Sequence, residues 1–298
     1  MNFIYAKDSG KRVKRIISKS GSSPEHSYHY HCWHETKDEK PYFAVIDKYS
    51  LILARHNKRL GYWEIENGIV TPEDKKAVVL LKFLDRVFKN KKTKKVIVET
   101  TPELRKELLW RLKRYKIGRV NYDLIWPIYH LPTWDNRLKG KKWKKVRNLI
   151  NRLKSGHRIR VVNSKDIDKK KLYALLKRWI KKRNDSDRVC LHLYENIIKN
   201  NFKGMKFCRT VMVDGEPCTI TAGWKIPNSN NYYSAIGIIN YKYEGLGEFA
   251  NVDDLRNIKK HGFEFADFGG SDGALLKFKK KFKPVKTYKT VCYSIRRK

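Results

Sequence analysis

The sequence has little negative charge, few cysteines and no long apolar run. Its five cysteines stand far apart without a Cys-x-x-Cys pair, which argues against both a zinc ribbon and a disulfide framework. No stretch approaches the roughly 20 apolar residues of a membrane-spanning helix, and the opening MNFIYAKDSGKRVKR lacks the apolar core of a signal peptide. We therefore expect a soluble, cytoplasmic protein with reduced thiols that has at most peripheral contact with a membrane.

Positive charge is what the sequence has in excess. Lys and Arg number 68 against 30 Asp and Glu, which gives a net charge of +38 spread over both halves. Such an excess opposes compaction by self-repulsion unless a polyanion offsets it. The composition therefore favours tRNA, another nucleic acid or an anionic membrane as a partner, although a generally Lys-rich proteome would give a similar balance.

The length and the pattern of apolar residues indicate two globular domains. At 298 residues, 41% of them apolar, the chain can form two domains of about 100 to 200 residues each. After a polar, basic lead-in, the first half reads as three strands, helix, strand, helix and strand. The second half reads as helix, strand, two helices, three antiparallel strands, helix, strand, helix and strand. From its first strand onward this order is typical of the GNAT acyltransferase fold, which is α/β (α+β).

A glycine-containing loop lies between the third strand of the predicted meander and the helix that follows. The run 242–247, KYEGLG, resembles the acetyl-CoA loop of GNAT enzymes. Its glycines would let backbone N–H groups approach a pyrophosphate at a helix N-terminus. Lys242, Gly245 and Gly247 are therefore candidate cofactor-binding residues. Lys242 stands where the family has Gln or Arg, and the nearby Glu248 adds negative charge.

Two consecutive runs near the C-terminus carry a more specific pattern. Residues 265–273 read FADFGGSDG, and residues 276–284 read LKFKKKFKP. With the upstream 243–248 and the basic helix 143–152, they resemble the cytosolic domain of phosphatidylglycerol lysyltransferases. The wider group includes the Fem peptidoglycan aminoacyltransferases and leucyl/phenylalanyl-tRNA-protein transferase.

That resemblance covers roughly residues 134 to 298. It implies tandem GNAT-like domains, each a mixed, mostly antiparallel sheet flanked by helices. We place the N-terminal domain at 1–130 and the catalytic C-terminal domain at 131–298.

The resemblance also implies a mechanism. In the Fem-like enzymes a lysine in the Phe-Lys position of the C-terminal helix stabilises the negative charge that develops on the ester carbonyl, and here that residue is Lys279. No covalent enzyme intermediate is needed, because an aminoacyl ester on tRNA is already activated. The acceptor would lose its proton to the substrate or to Asp267 or Asp272. Ser271 of the same turn completes the candidate catalytic set. The structural alternative is an amphipathic helix with solvated lysines.

A basic helix is predicted from Lys139 to Lys154. Its apolar residues recur at helical spacing, which would leave the opposite face almost wholly cationic. Such a face fits a duplex backbone or a tRNA acceptor stem, although a solvated surface helix is the alternative. The candidate nucleic-acid contacts are Lys141, Lys144, Lys145, Arg147 and Arg152, together with Lys281 of the C-terminal helix.

Histidines cluster in the segment HSYHYHCWH, residues 26–34. Alternation would place His29 and His31 on one face of a strand. Because no second ligand pair lies at zinc-finger spacing, packing or a substrate rim is the preferred interpretation and we expect no metal site.

The favoured function is an aminoacyltransferase that moves an aminoacyl group from charged tRNA to an amine or hydroxyl of a small-molecule, peptide or lipid acceptor. We assign no cofactor beyond the donor substrate, aminoacyl-tRNA. One alternative is an acyltransferase that uses acetyl-CoA or another acyl-CoA. Another is a non-catalytic nucleic-acid-binding protein with a GNAT fold.

Overall fold

The computed structural model describes residues 1–183 and 190–298. The first part of the chain forms strands and helices in the order β1 (Asn2–Tyr5), α1 (Lys11–Ser20), α2 (Tyr28–Trp33), β2 (Glu39–Val45), β3 (Leu51–Asn57), β4 (Tyr62–Glu66), β5 (Ile69–Val70), α3 (Lys76–Val87), β6 (Lys95–Thr100), α4 (Pro102–Arg111) and β7 (Tyr115–His130). Short 3₁₀ turns precede α1 and α3.

The remaining elements follow in the order α5 (Lys144–Gly156), β8 (Ile159–Asn163), α6 (Lys169–Ile180), α7 (Leu191–Lys199), β9 (Phe207–Val213), β10 (Glu216–Pro217), β11 (Thr219–Lys225), β12 (Asn231–Ile239), α8 (Leu246–Lys260), β13 (Phe265–Asp267), α9 (Gly273–Lys280) and β14 (Lys286–Arg297). The described parts of the chain contain no helix that is both long and apolar enough to span a bilayer.

The strands form one continuous sheet in the order β1-β2-β3-β4-β6-β14-β7-β13-β12-β11-β9-β10, with β5 beside β3 and β8 beside β9. Most neighbours are antiparallel, whereas β4–β6 and β12–β13 are parallel. The last strand, β14, lies between β6 and β7 and pairs with both. The predicted mixed, mostly antiparallel fold is thus confirmed, and the division of the chain after residue 130 stays a prediction.

Helices cover the sheet and complete its cores. Helices α3 and α4 pack with β3, β4, β6 and β14 around Phe83, Leu84 and Leu108. Helices α6 and α7 pack on β11 and β12, while α5 and α8 pack near β7 and β13. These cores leave the turn after β13 and the N-terminal ends of α4 and α9 near the middle of the molecule, where the functional site is built.

Several local signals in the sequence are confirmed. Residues 101–103 read Thr-Pro-Glu, which is typical of a helix start. The Thr101 hydroxyl accepts from the Leu104 N–H at 3.3 Å, and Pro102 is the first residue of α4. The hairpin between β9 and β11 turns at Asp214 and Gly215, both with positive φ. Helix α8 ends just before Gly262, whose φ is 76°.

The N-terminal segment is where the sequence reading fails. The polar, basic lead-in contains β1 and the two helices α1 and α2. The prediction that His29 and His31 share a strand face is wrong, because both lie on α2. Apolar Val13, Ile16 and Ile17 on α1 are buried against β2 and β3. Their spacing does indicate a helix, but the three apolar residues are few among many charged ones and were therefore missed.

Candidate functional site

Hydrogen bonds of backbone groups hold the turn after β13 in place. The Gly269 N–H donates to Asp267 Oδ1 at 2.8 Å, and φ of Gly269 is 79°. Ser271 exchanges two backbone hydrogen bonds with Ile125 of β7, at 2.9 and 3.0 Å. A side chain at Gly270 would meet Trp126 at 2.8 Å. The second glycine is therefore required by the close approach of the turn to β7.

Lys279 reaches this turn from α9. Its ammonium donates to the carbonyl oxygen of Phe268, to that of Gly269 at 3.1 Å and to the Ser271 hydroxyl at 2.6 Å. Desolvation lowers the pKa of Lys279 to about 8, with the Asp267 charge acting in the opposite direction. An ammonium has three N–H donors. In this structure all three have acceptors, and the Ser271 hydroxyl is the one that rotates most easily.

Asp267 is 3% exposed and ends β13. Besides the Gly269 N–H, its carboxylate accepts from the Tyr288 hydroxyl at 2.8 Å. Burial raises the pKa of Asp267 to about 6, against the opposing effects of these hydrogen bonds and of Lys279. The turn therefore holds a carboxylate that can accept a proton near neutral pH and a cation that can stabilise a developing anion.

Aromatic rings and a chain of hydrogen bonds surround the pair. Trp126 stacks on Tyr288 with ring centroids 5.3 Å apart. Its indole N–H donates to Thr290 at 2.8 Å, and Thr290 in turn donates to Glu99 at 2.7 Å. This chain crosses from β7 through β14 to β6, so both halves of the sheet orient the groups beside Asp267.

A cleft of about 450 Å³ has Asp267, the residue just before this turn, in its wall. From the second half of the chain and β7 it is lined by Ile128, Ile226, Asn231, Phe265, Asp267, Lys286, Tyr288 and Thr290. From the first half it is lined by Ser22, Ser23, Pro24, Asn67, Glu73, Lys76 and Thr101. A substrate in this cleft would contact Asp267 while touching residues from both halves.

Carboxylates gather beside the cleft in spite of the basic composition. The Tyr233 hydroxyl donates to Glu25 at 3.4 Å. Burial, and then the charges of Glu66 and Glu99, raise the pKa of Glu25 well above its ordinary value. Glu66 is held by a bidentate contact with Arg55 at 2.7 and 2.8 Å. This region therefore favours a cationic or neutral group over an anion.

Of the four predicted catalytic residues, the structure brings three together. Lys279 contacts Ser271, and Asp267 and Lys279 perturb each other's pKa. Asp272 instead lies exposed at the start of α9, where its side chain does not cap the helix.

The predicted cofactor loop is occupied by packing contacts. Gly245 has φ 81°, and a side chain there would lie 2.4 Å from the Leu149 carbonyl oxygen of α5. A side chain at Gly247 would lie 3.1 Å from the Phe278 ring. Lys242 is exposed, and its backbone N–H donates to Asn240 at 3.1 Å. Close packing thus explains why glycine stands at both positions, without a bound pyrophosphate.

The predicted nucleic-acid contacts divide into two groups. Lys141, Lys144 and Lys145 are exposed in the turn that leads into α5 and in its first residues. The other three are engaged within the protein: Arg147 donates to the carbonyl oxygens of Leu138 and Gly140, Arg152 contacts Glu244 at 3.2 Å, and Lys281 contacts Glu248 at 2.7 Å. The exposed lysines are the stronger candidates for phosphate contacts.

The histidine cluster is part of the packing between the N-terminal helices and the sheet. His26, His31 and His34 are buried, and each hydrogen-bonds a backbone carbonyl oxygen, at 2.9 to 3.0 Å. Burial lowers the pKa of all three to about 3. They are neutral core residues at ordinary pH.

Sequence reasoning missed Glu25, Tyr233 and Tyr288. Tyr288 is the third residue of the closing strand and Tyr233 lies in the meander, where apolar alternation explains both without a function. Glu25 lies in the Ser-Ser-Pro-Glu segment of the lead-in, which carries no recognised motif. Only the tertiary structure brings Tyr288 into the wall of the cleft and places Glu25 and Tyr233 in contact beside it.

Comparison with known proteins identifies the family of the chain. The family model described as phosphatidylglycerol lysyltransferase, C-terminal, matches residues 73–293. No curated protein sequence matches the chain.

Solved structures share the whole fold at low identity. L-PGS from Bacillus licheniformis superposes with a TM-score of 0.67 at 14% identity, over 97% of this chain and 92% of that one. FemX gives 0.63 at 12% identity, over 98% and 97%. A tandem GNAT protein from the clavulanic acid biosynthesis pathway gives 0.57 at 8% identity, over 99% and 98%. At such identities the structural likeness establishes the fold. The family model matches most of the sequence and therefore assigns the family. The chain belongs to the family of phosphatidylglycerol lysyltransferase C-terminal domains and is an acyltransferase of the GNAT fold.

Proposed function

We propose that the chain transfers an aminoacyl group from a charged tRNA to an amine or hydroxyl acceptor in the cytoplasm. The observation that carries the proposal is the Lys279 ammonium, held against the turn after β13 beside the buried Asp267. An aminoacyl ester needs a cation for its oxyanion and a base for the acceptor, and this pair supplies both.

In the proposed reaction the acceptor nitrogen or oxygen attacks the ester carbonyl of the aminoacyl group. The carbonyl oxygen becomes an oxyanion and takes the place of the Ser271 hydroxyl on Lys279. Asp267 accepts the proton that the acceptor loses. The tetrahedral intermediate then collapses and breaks the ester bond, and the leaving ribose oxygen of the tRNA takes the proton from Asp267 to become a hydroxyl. The carboxylate-rich region around Glu25 suits the α-ammonium of the aminoacyl group.

Charge and packing support a tRNA donor over an acyl-CoA donor. Lys141, Lys144 and Lys145 offer an exposed cationic surface to phosphates. At the start of α8, the Leu149 carbonyl oxygen and the Phe278 ring lie against Gly245 and Gly247, where a pyrophosphate would bind. The chemical class of the acceptor is left open between amines and hydroxyls.

The test is a single-turnover transfer assay with tRNAs charged with labelled amino acids. Lys279→Ala should lower the transfer rate by about a hundredfold to a thousandfold, the usual loss when one oxyanion donor is removed, with tRNA affinity unchanged. Lys280→Ala is the matched control, because Lys280 is the exposed neighbour on the same helix. Turnover of Lys279→Ala at the wild-type rate would refute the mechanism.

The competing functions give different results with the wild-type protein. Thermal stabilisation by acetyl-CoA but not by charged tRNA would support the acyl-CoA-dependent reaction. Binding of a duplex in a salt-sensitive manner, with neither donor used, would support a nucleic-acid-binding protein. Identification of the RNA and the attached amino acid that co-purify at low salt would name the donor directly.

A further inference from the structure

Helix α4 ends in two adjacent apolar side chains that the core does not cover. Leu109 is 49% exposed and Trp110 is 75% exposed. The chain has eight tryptophans, and each of the other seven is at most 9% exposed. Trp110 is therefore the exception among tryptophans that are otherwise buried in this protein.

The fold itself does not need these two side chains. Helix α4 packs onto the core through Leu104 and Leu108, which are 8% and 0% exposed. The next two positions point away from that face, because successive helical residues are turned by about 100°. Helix α4 thus carries a second apolar surface, and neighbouring exposed apolar residues on a soluble domain mark an interaction site.

Basic residues surround this apolar pair. Residues 103–119 contain seven Lys or Arg and two Asp or Glu. Glu107 is paired with Arg111 at 2.7 Å, and Asp85 is paired with Arg114 at 3.2 Å. The Lys113 ammonium lies 6.0 Å from the Trp110 ring centre. Strand pairing adds cations from the C-terminus, since Arg296 lies opposite Lys116. We call Leu109, Trp110, Arg111, Lys113 and Arg114 the α4 tip.

We propose that the α4 tip docks the protein on an anionic lipid bilayer. A tryptophan and a leucine can enter the headgroup boundary while the flanking cations meet anionic headgroups, which is the composition of interfacial helices. A nucleic acid would use the ring and the cations but would gain nothing from Leu109. The aliphatic neighbour therefore favours the lipid surface.

The position of α4 connects this surface with the cleft. Thr101, which caps the helix, lines the cleft, and a ten-residue helix spans about 15 Å. Docking at the tip would hold the cleft about one helix length from the headgroups. This surface property goes beyond the proposed transfer reaction and needs no donor, so it can fail or succeed independently.

The experiment is flotation of the full chain with two kinds of vesicle, phosphatidylcholine alone and phosphatidylcholine mixed with phosphatidylglycerol. Wild type should bind the anionic vesicles and not the neutral ones. Trp110→Ala should weaken that binding on the order of tenfold, the effect of removing one large apolar anchor. Leu60→Ala is the matched control, because Leu60 is 48% exposed outside α4, and it should bind like wild type.

Fluorescence provides a second measurement that does not depend on affinity. Brominated acyl chains in the anionic vesicles should quench wild-type emission through Trp110, and Trp110→Phe should abolish the quenching while circular dichroism stays unchanged. Equal vesicle binding by wild type and Trp110→Ala would overturn the proposal. So would binding to neutral vesicles alone, protection of Trp110 by tRNA instead of vesicles, or a dimer that Trp110→Ala dissociates.

Discussion

At the turn after β13, burial moves the pKa values of two side chains toward each other. Asp267 is raised to about 6 and Lys279 is lowered to about 8. Between these values the carboxylate is ionised and the lysine is protonated. In water both groups would be charged over a much wider pH range, so desolvation is the cause of the narrow pH interval here.

The transfer rate should therefore have a bell-shaped pH dependence. We expect kcat/KM to rise through about pH 6, as Asp267 loses its proton, and to fall through about pH 8, as Lys279 loses its own. The measurement is kcat/KM across both pKa values at constant ionic strength. Asp267→Asn should remove the acidic limb and lower the rate by about a hundredfold, whereas a pH-independent rate would rule out this pair as base and electrophile.

Asp267→Asn also separates activity from folding. The carboxyl pKa is raised in the folded state from an ordinary value of 3.8, so its ionisation opposes folding as the pH rises from about 4 through about 6. Asparagine carries no charge to desolvate. The variant should keep or raise Tm at neutral pH while it loses activity, and a large fall in Tm would instead indicate that the carboxylate holds the turn.

Among the elements, α5 combines a buried apolar face with an exposed basic N-terminal end. Val146, Leu149 and Ile150 are buried, whereas Lys144 and Lys145 are exposed. The same helix positions the loop at Gly245 through the Leu149 carbonyl oxygen. It therefore links a surface that suits phosphates to the packing of the C-terminal half.

Replacing the exposed lysines of this region should weaken tRNA binding without changing the fold. In the triple variant Lys141→Ala, Lys144→Ala and Lys145→Ala, we expect the slope of log K against log salt to fall by about two to three, since each phosphate contact contributes about 0.7 to 0.9. The control replaces three exposed lysines at the start of α6, Lys169, Lys170 and Lys171. An equal effect of both triple variants would show that the net charge, not this surface, determines binding.

For the whole molecule, the position of β14 is decisive. Residues 286–297 pair with β7 along the length of β14 and with β6 through Val291–Ile295. Val291, Cys292, Tyr293 and Ile295 are all less than 7% exposed. The last strand of the chain thus closes the sheet between its two halves, and we expect them to unfold together.

Removal of β14 should therefore prevent folding rather than trim the C-terminus. Deleting residues 286–298 removes four buried side chains from the core and leaves the edges of β6 and β7 unpaired, a loss that exceeds the total stability of about 5 to 15 kcal/mol of a typical domain. Gel filtration and circular dichroism should show an aggregated or unfolded chain. Deleting only Arg297 and Lys298 is the control and should leave Tm within a few degrees; a folded, monomeric product of the longer deletion would disprove the argument.

Local chemistry determined much of this protein. Apolar periodicity, the Thr-Pro-Glu starts and the Asp-Gly hairpin predict most strands and helices, because each of these signals acts over a few residues. The candidate residues Lys279, Ser271 and Asp267 came instead from the family resemblance that the Gly-Gly-Ser turn and the Phe-Lys run carry. The lead-in was misread because its few apolar residues are spaced among many cations.

The tertiary structure alone decided how these pieces meet. The pairing of β14 with β6 joins residues nearly 200 positions apart, as in the contact between Thr290 and Glu99, separated by 191. No local pattern predicts such a contact, because burial in a shared core stabilises it against the entropic cost of closing a long loop. For the same reason only the fold could place Tyr288 in the wall of the cleft and Glu25 and Tyr233 beside it. The sequence therefore identified the motifs. The pKa values, the cleft and the exposure of Trp110 depend on which residues the fold buries.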